Sequence, residues 1–158
     1  MNRPLRTFHV VRHAKAGNRD KWEGDDRMRP LSKKGVQQAE ELVRTFKPFP
    51  ITAIFSSPYQ RCIQTVEPLA HSRGLEIKRS PSLEEGRGLE GLGEFFGDES
   101  LDKVVLSTHG DIVWELVEDL RSREVAGAGE GGYEKGATWV CEVDDHGVVE
   151  RATYIPAS

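Results

Sequence analysis

The sequence predicts an α/β protein, a three-layer α/β/α sandwich around a mostly parallel central sheet with a C-terminal antiparallel hairpin. Three observations carry this expectation. Short apolar, β-branched runs alternate with longer segments of helical periodicity over most of the chain. Two further strand-like runs flank the turn Asp144-Asp145-His146-Gly147 near the end. No internal repeat and no Pro/Ser-rich linker divides the chain, so the alternation builds a single domain over residues 1–158.

The elements follow in order. Thr7-Phe8-His9-Val10-Val11 is short, β-branched and aromatic, as a buried strand should be. A polar loop occupies residues 14–31. Ser32 then supplies a helix N-cap, with Val36, Ala39, Leu42, Val43 and Phe46 on one helical face. Pro48 and Pro50 end that helix, and residues 51–55 form the second strand. Ser56-Ser57-Pro58 starts the next helix, with a serine cap and proline at its first position. It runs to Arg73, Gly74 stops it, and residues 75–78 make the third strand. Gly86, Gly88, Gly91, Gly93 and Gly97 break residues 80–101 into loop and one short helix. Residues 104–106 are the fourth strand and 111–120 an apolar-periodic helix. After a charged, glycine-rich loop over 121–135, residues 137–143 and 147–154 pair as the closing hairpin.

Composition narrows the function classes. At 158 residues the chain is long enough for one substantial core, and 37% hydrophobic with 30% charged residues fits a folded globular protein. The balance of 22 basic against 26 acidic residues gives a net charge of −4, which leaves no broad basic face for a nucleic acid polymer or a membrane surface. The apolar stretch Phe8 to Val11 is too short for a signal peptide, and no run approaches the roughly 18 residues of a membrane span. Cys62 and Cys141 have no metal-ligand companions and read as buried thiols of a cytoplasmic protein.

The residues that carry chemistry sit where strands end. In an open α/β sheet, ligands bind at the carboxyl ends of the strands. Arg12-His13 closes the first strand and Thr108-His109-Gly110 closes the fourth. Arg61 lies in the first turn of the helix after Ser57, so its guanidinium and the free N–H groups of that helix reach the same edge. Taken singly, each has an ordinary explanation: a satisfied structural histidine, a solvated arginine, a strand-to-helix bend. Asp111 reads as a helix N-terminal charge. Together, two imidazoles and two guanidinium groups at one edge point to a site for phosphate.

These residues resemble the histidine phosphatase superfamily, the phosphoglycerate mutase-like family. Arg12-His13 matches its Arg-His-Gly signature. Ser56-Ser57-Pro58-Tyr59-Gln60-Arg61-Cys62-Ile63-Gln64-Thr65 matches its Ser-Ser-Pro block with the second arginine. Leu83-Glu84-Glu85 and Ser107-Thr108-His109-Gly110 correspond to its acid segment and second histidine, and residues 29–39 to the segment opening the first helix. The blocks stand in family order.

The resemblance implies a phosphoglycerate mutase-like fold and a covalent mechanism that needs no cofactor and no metal. His13 attacks phosphorus and becomes a transient phosphohistidine, while Arg12, Arg61 and His109 bind the phosphoryl oxygens. Glu85 is the expected general acid for an ester leaving group, with Glu84 as the alternative. A phosphohistidine substrate would depend less on such an acid. Ala14 replaces the family's glycine after His13, Lys15 stands where the mutases usually carry glutamate, and the long insertion of the sugar-phosphate enzymes is missing. The resemblance is therefore to the small SixA-type phosphohistidine phosphatases, and to the phosphatase domain that follows a Nudix domain in some nucleotide-cleaning enzymes. The implied partner is a phosphorylated small molecule or a phosphohistidine protein. The alternative is a catalytically silent phosphate-binding or interaction domain of the same fold.

The loop after His13 adds candidate recognition residues. Lys15, Arg19, Lys21, Arg27 and Arg29 can meet further phosphates or an acidic partner, and Trp22 can stack on a base. Asp20, Glu23, Asp25 and Asp26 nearly neutralise the same loop, which equally fits solvated surface. Trp114 and Trp139, in regular apolar elements, are expected in the core.

Overall fold

The computed structural model describes residues 4–157; residues 1–3 and Ser158 of the expected domain lie outside the described residues. Strand β1 (Arg6–Arg12) leads through a long loop to helix α1 (Lys33–Thr45), then β2 (Ala53–Ser56), α2 (Gln60–Arg73) and β3 (Ile77–Arg79). Helix α3 (Gly88–Phe96), β4 (Val104–Thr108), α4 (Gly110–Ser122), β5 (Thr138–Val143) and β6 (Val149–Ile155) complete the order. The strands form one six-stranded sheet, β3-β2-β4-β1-β5-β6. β3, β2, β4 and β1 are mutually parallel, and β5 and β6 join antiparallel, as expected.

The sheet is covered on both faces, which is why its central strands are continuously apolar. Alternation along β1 sends Phe8 and Val10 to one side, where they meet Val104, Leu106 and the buried faces of α3 and α4. Val11 goes to the other side, with Val105, Ile54, and Leu42, Phe46, Val66 and Leu69 of α1 and α2. His9 shares that second layer against the rings of Phe46 and Phe49, with Nδ1 3.1 Å from the carbonyl of Val104. Among the described residues no helix is long and apolar enough to cross a membrane.

Several local expectations shift. Ser32 caps α1, its hydroxyl accepting from the N–H of Gly35 at 3.1 Å. Val36, however, is 45% exposed, because the helix turns Gly35 inward instead. A Cβ at Gly35 would stand 1.9 Å from the carbonyl oxygen of Lys15, so only glycine lets α1 approach the loop that follows β1. Helix α2 begins later than expected: Tyr59 occupies the cap position without a side-chain cap bond, and Pro58 precedes the helix. At its other end Gly74 adopts φ 64°, and the N–H of Leu75 closes on the carbonyl of Ala70 at 3.0 Å. That closure consumes Leu75 and delays β3 to Ile77. Trp139 is buried, but Trp114 is 53% exposed. Helix α4 buries Val113, Leu116 and Val117, and Trp114, about 100° around the axis from Val113, falls on the outer side.

Candidate active site

Strand register assembles the site. β1 pairs with β4 so that Arg12 stands opposite Thr108, and β2 pairs with β4 so that Ser56 stands opposite Ser107. The next residue of each strand therefore emerges at one edge: His13, Ser57 and His109. Backbone bonds extend the ladder by one step, from His13 N–H to the Thr108 carbonyl at 2.9 Å and from Ser57 N–H to the Ser107 carbonyl at 3.0 Å. The imidazole rings of His13 and His109 end 5.6 Å apart, edge to face.

His13 is held as a neutral base. Its Nδ1 lies 2.8 Å from the carbonyl oxygen of Ala14. A carbonyl only accepts, so Nδ1 carries the proton and Nε2 keeps its lone pair. Burial, with the charges of Arg61 and Arg12 nearby, lowers the imidazole pKa from 6.5 to about 3. Ala14 is itself fixed, its N–H donating to Thr65 Oγ1 at 2.9 Å while that hydroxyl donates to the Arg61 carbonyl at 2.7 Å. Thr65 thus ties the proposed nucleophile to the helix that carries Arg61.

His109 is also buried, and burial followed by the Arg61 charge lowers it to about 3. Its Nε2 lies 2.9 Å from Ser57 Oγ, which accepts from the N–H of Tyr59 at 3.3 Å. Cys62 Sγ is 3.5 Å from the same nitrogen, and burial pushes this thiol up to about 12, so it stays protonated at neutral pH. Cys141 is likewise a buried thiol pushed to about 12.

Two arginines reach the edge by different routes. Arg12 Nη1 donates to the Tyr133 carbonyl at 2.6 Å, and its guanidinium lies flat over Gly110, where a Cβ would come within 2.6 Å of it. Glycine after His109 therefore makes room for Arg12 itself. Arg61 is 1% exposed; Nη1 donates to the carbonyl of Asp26 at 2.9 Å, and Nη2 to Asp26 Oδ2 at 3.1 Å and to Glu85 Oε1 at 3.4 Å. Its guanidinium also lies 4.8 Å over the Tyr59 ring. Arg12 Nε and Arg61 Nε are both buried donors without a protein partner.

The Leu83-Glu84-Glu85 segment is pinned at the same edge. Thr108 Oγ1 donates to the Leu83 carbonyl at 2.7 Å, and Asp111 accepts from the N–H of Gly86 at 2.7 Å. Asp111 therefore holds the segment as well as flanking a helix start. Between these anchors Glu85 meets Arg61, whereas Glu84 turns away to Arg27 at 2.7 Å. Trp22 is half-exposed and donates Nε1 to the Asp25 carbonyl at 2.9 Å, inside its own loop. Lys15 and Arg29 line a cleft of about 530 Å³ that also includes Arg12, His13, Arg19 and Lys135. Arg29 is buried there, bound to Asp26 at 2.8 Å and to the Gly17 carbonyl at 2.7 Å.

Nothing in the sequence marks Asp26 or Thr65 individually as a site residue. Thr65 lies within the matched block, which was its available signal. Asp26 looked like one of several neutralising loop charges, and nothing local marks it as a partner of Arg61, 35 positions away.

The model of the histidine phosphatase superfamily, branch 1, matches residues 8–95, a span that includes Arg12, His13, Arg61 and Glu85 and stops short of His109. The 8-oxo-(d)GTP phosphatase of Mycolicibacterium smegmatis is 35% identical over 164 residues, covering 98% of this chain and 50% of that protein. The transcription factor tau 55 kDa subunit of Saccharomyces cerevisiae is 31% identical over 116 residues, 58% of this chain and 26% of that one. The chain thus spans half or less of the length of these curated relatives. The crystal structure of the putative phosphohistidine phosphatase SixA from Agrobacterium tumefaciens superposes with a TM-score of 0.73 at 21% identity over 97% of both chains, a likeness of fold.

Proposed function

We propose, because the chain belongs to the histidine phosphatase superfamily, that it is a metal-independent phosphatase acting through a phosphohistidine on His13. The observation that carries this reading is the pairing of a neutral His13, its Nε2 lone pair free, with the buried Nε–H groups of Arg12 and Arg61, which have no protein acceptor. A buried unsatisfied donor is costly, and phosphoryl oxygens at this edge would satisfy both.

The steps balance without a co-reactant other than water. Nε2 of His13 forms a bond to phosphorus as the bond from phosphorus to the leaving oxygen breaks, its electron pair staying on that oxygen. Arg12, Arg61 and His109 hold the equatorial oxygens while charge builds there. Glu85 gives the leaving oxygen its proton when the substrate is an ester. Water then attacks the phosphohistidine, Nε2 recovers its electron pair, and inorganic phosphate leaves. The substrate is a phosphomonoester or a phosphohistidine. The relative named as an 8-oxo-(d)GTP phosphatase supports a phosphorylated small molecule.

Hydrolysis of a generic aryl phosphate tests this. Wild-type protein should turn it over, and His13→Ala should lower the rate by at least about a thousandfold, as loss of a nucleophile does. Equal rates for the two proteins would overturn the proposal. The tau subunit relative, named as part of a transcription factor, favours a second reading in which the fold only binds. Vanadate binding without turnover on phosphohistidine, nucleotide and sugar-phosphate substrates would support that one.

A further inference from the structure

The cleft beside His13 is larger and more positively charged than capture of one phosphoryl group requires. Its volume of about 530 Å³ is in the range that holds a whole small molecule. Arg12, Lys15, Arg19, Arg29 and Lys135 line it, with no carboxylate among the described lining residues. This occurs in a chain whose net charge is −4. Arg29 is neutralised in part by Asp26, but among the described residues no carboxylate pairs with Lys15, Arg19 or Lys135. Glu134 lines the adjoining pocket with Lys15 and Lys135 without forming an ion pair with either, so the gathered cations repel one another. Lys135 is pushed below the ordinary lysine range, first by partial desolvation and then by the charges of Arg12, Lys15, Arg29 and Arg19.

The gathering is built into the fold. Gln38 on α1 accepts from the N–H of Lys15 at 2.9 Å and donates Nε2 to the carbonyl of Lys135 at 3.3 Å, clamping the two lysine backbones together. The N–H of Gly136 meets the carbonyls of Arg12 and His13 at 3.0 and 3.2 Å, fixing Lys135 beside the proposed nucleophile. A structure that holds repelling cations side by side spends stability on an anion site.

We infer that this cleft seats a second phosphoryl group attached to the one removed, and that the site therefore cleaves the terminal phosphate from a diphosphate. The inference rests on the phospho-His13 reading and extends it to a further activity. Nε2 of His13 bonds to the terminal phosphorus as the bridging P–O bond breaks, and the electron pair stays on the oxygen of the departing phosphate monoester. That oxygen needs no proton, since a phosphate is a far better leaving group than an alkoxide. The negative charge it gains develops among Lys15, Arg19 and Lys135, so these cations stabilise the transition state more than the ground state. Water then releases inorganic phosphate from His13, as before.

The test compares phenyl diphosphate with phenyl phosphate, which share one organic group and differ only by the second phosphoryl group. Wild-type kcat/KM should favour the diphosphate by about a hundredfold, the worth of two charge-assisted hydrogen bonds. The exposed double variant Lys15→Ala/Lys135→Ala should cut that preference at least about tenfold, and so should raised salt, which screens open charges. Inorganic pyrophosphate should compete against phenyl phosphate far better than inorganic phosphate does. A preference near one, or one that neither the variant nor salt moves, overturns the diphosphate site and leaves the phospho-His13 reading standing provided His13→Ala is dead on both substrates. Turnover of both by His13→Ala overturns the two together.

Discussion

At the scale of single residues, the geometry gives the two candidate carboxylates and the two histidines different work. The carbonyl of Ala14 fixes the His13 tautomer, so the nitrogen left with a lone pair is the one that faces away from the backbone. Glu84 and Glu85 are adjacent in sequence, yet only Glu85 reaches Arg61; Glu84 is engaged by Arg27. That difference sets Glu85, and not Glu84, beside the arginine of the proposed phosphate pocket. Glu85→Gln should therefore lower turnover of an alkyl phosphate by about a hundredfold while leaving an aryl phosphate or a diphosphate, whose leaving groups need no proton, within a few-fold. Equal losses on all three would assign Glu85 to holding Arg61 instead.

At the scale of elements, a strand register does what no single residue could. Pairing β1 with β4 in parallel brings residues 12 and 108 abreast, so the histidines that follow them are neighbours although far apart in sequence. Helix α4 begins directly at Gly110, and the absent Cβ there leaves space for the Arg12 guanidinium. Gly110→Ala should push that flexible guanidinium aside with little backbone strain. The expected result is a normally folded protein, with an unchanged circular dichroism spectrum, whose aryl phosphatase activity falls about a hundredfold, as for loss of one oxyanion donor. Full activity would mean that Arg12 takes no part in binding the phosphoryl group.

At the scale of the molecule, the site makes the fold sensitive to acid. His13 and His109 are lowered from 6.5 to about 3, and His9 is lowered in the core, each mainly by burial. As pH falls below 6.5 the unfolded chain takes up protons on the imidazoles of His13 and His109 and the folded chain does not, until about 3, and His9 acts in the same direction. The unfolded state then binds more protons, so stability falls across that window and is level above it. Thermal melting should show a lower Tm at about pH 4.5 than at about pH 7, with a shallower fall for the double variant His13→Asn/His109→Asn. A slope unchanged by that variant would place the acid sensitivity in other groups.

Much of this was legible in the amino-acid order, because strand and helix periodicity, caps and breakers are local properties of the chain. The alternation of elements, the Ser32 cap, the closing hairpin and the gathering of Arg12, His13 and His109 at strand ends, with Arg61 in the first turn of α2, all follow from spacing and from the matched blocks. Tertiary structure decided what depends on which surfaces meet. It turned Trp114 outward and Gly35 inward, because a helix buries the stripe its neighbours cover and not its largest side chain. It also joined Asp26 to Arg61, separated Glu84 from Glu85, and drew Lys15 and Lys135 together across Gln38. Those contacts are long-range in sequence, and no local propensity encodes them.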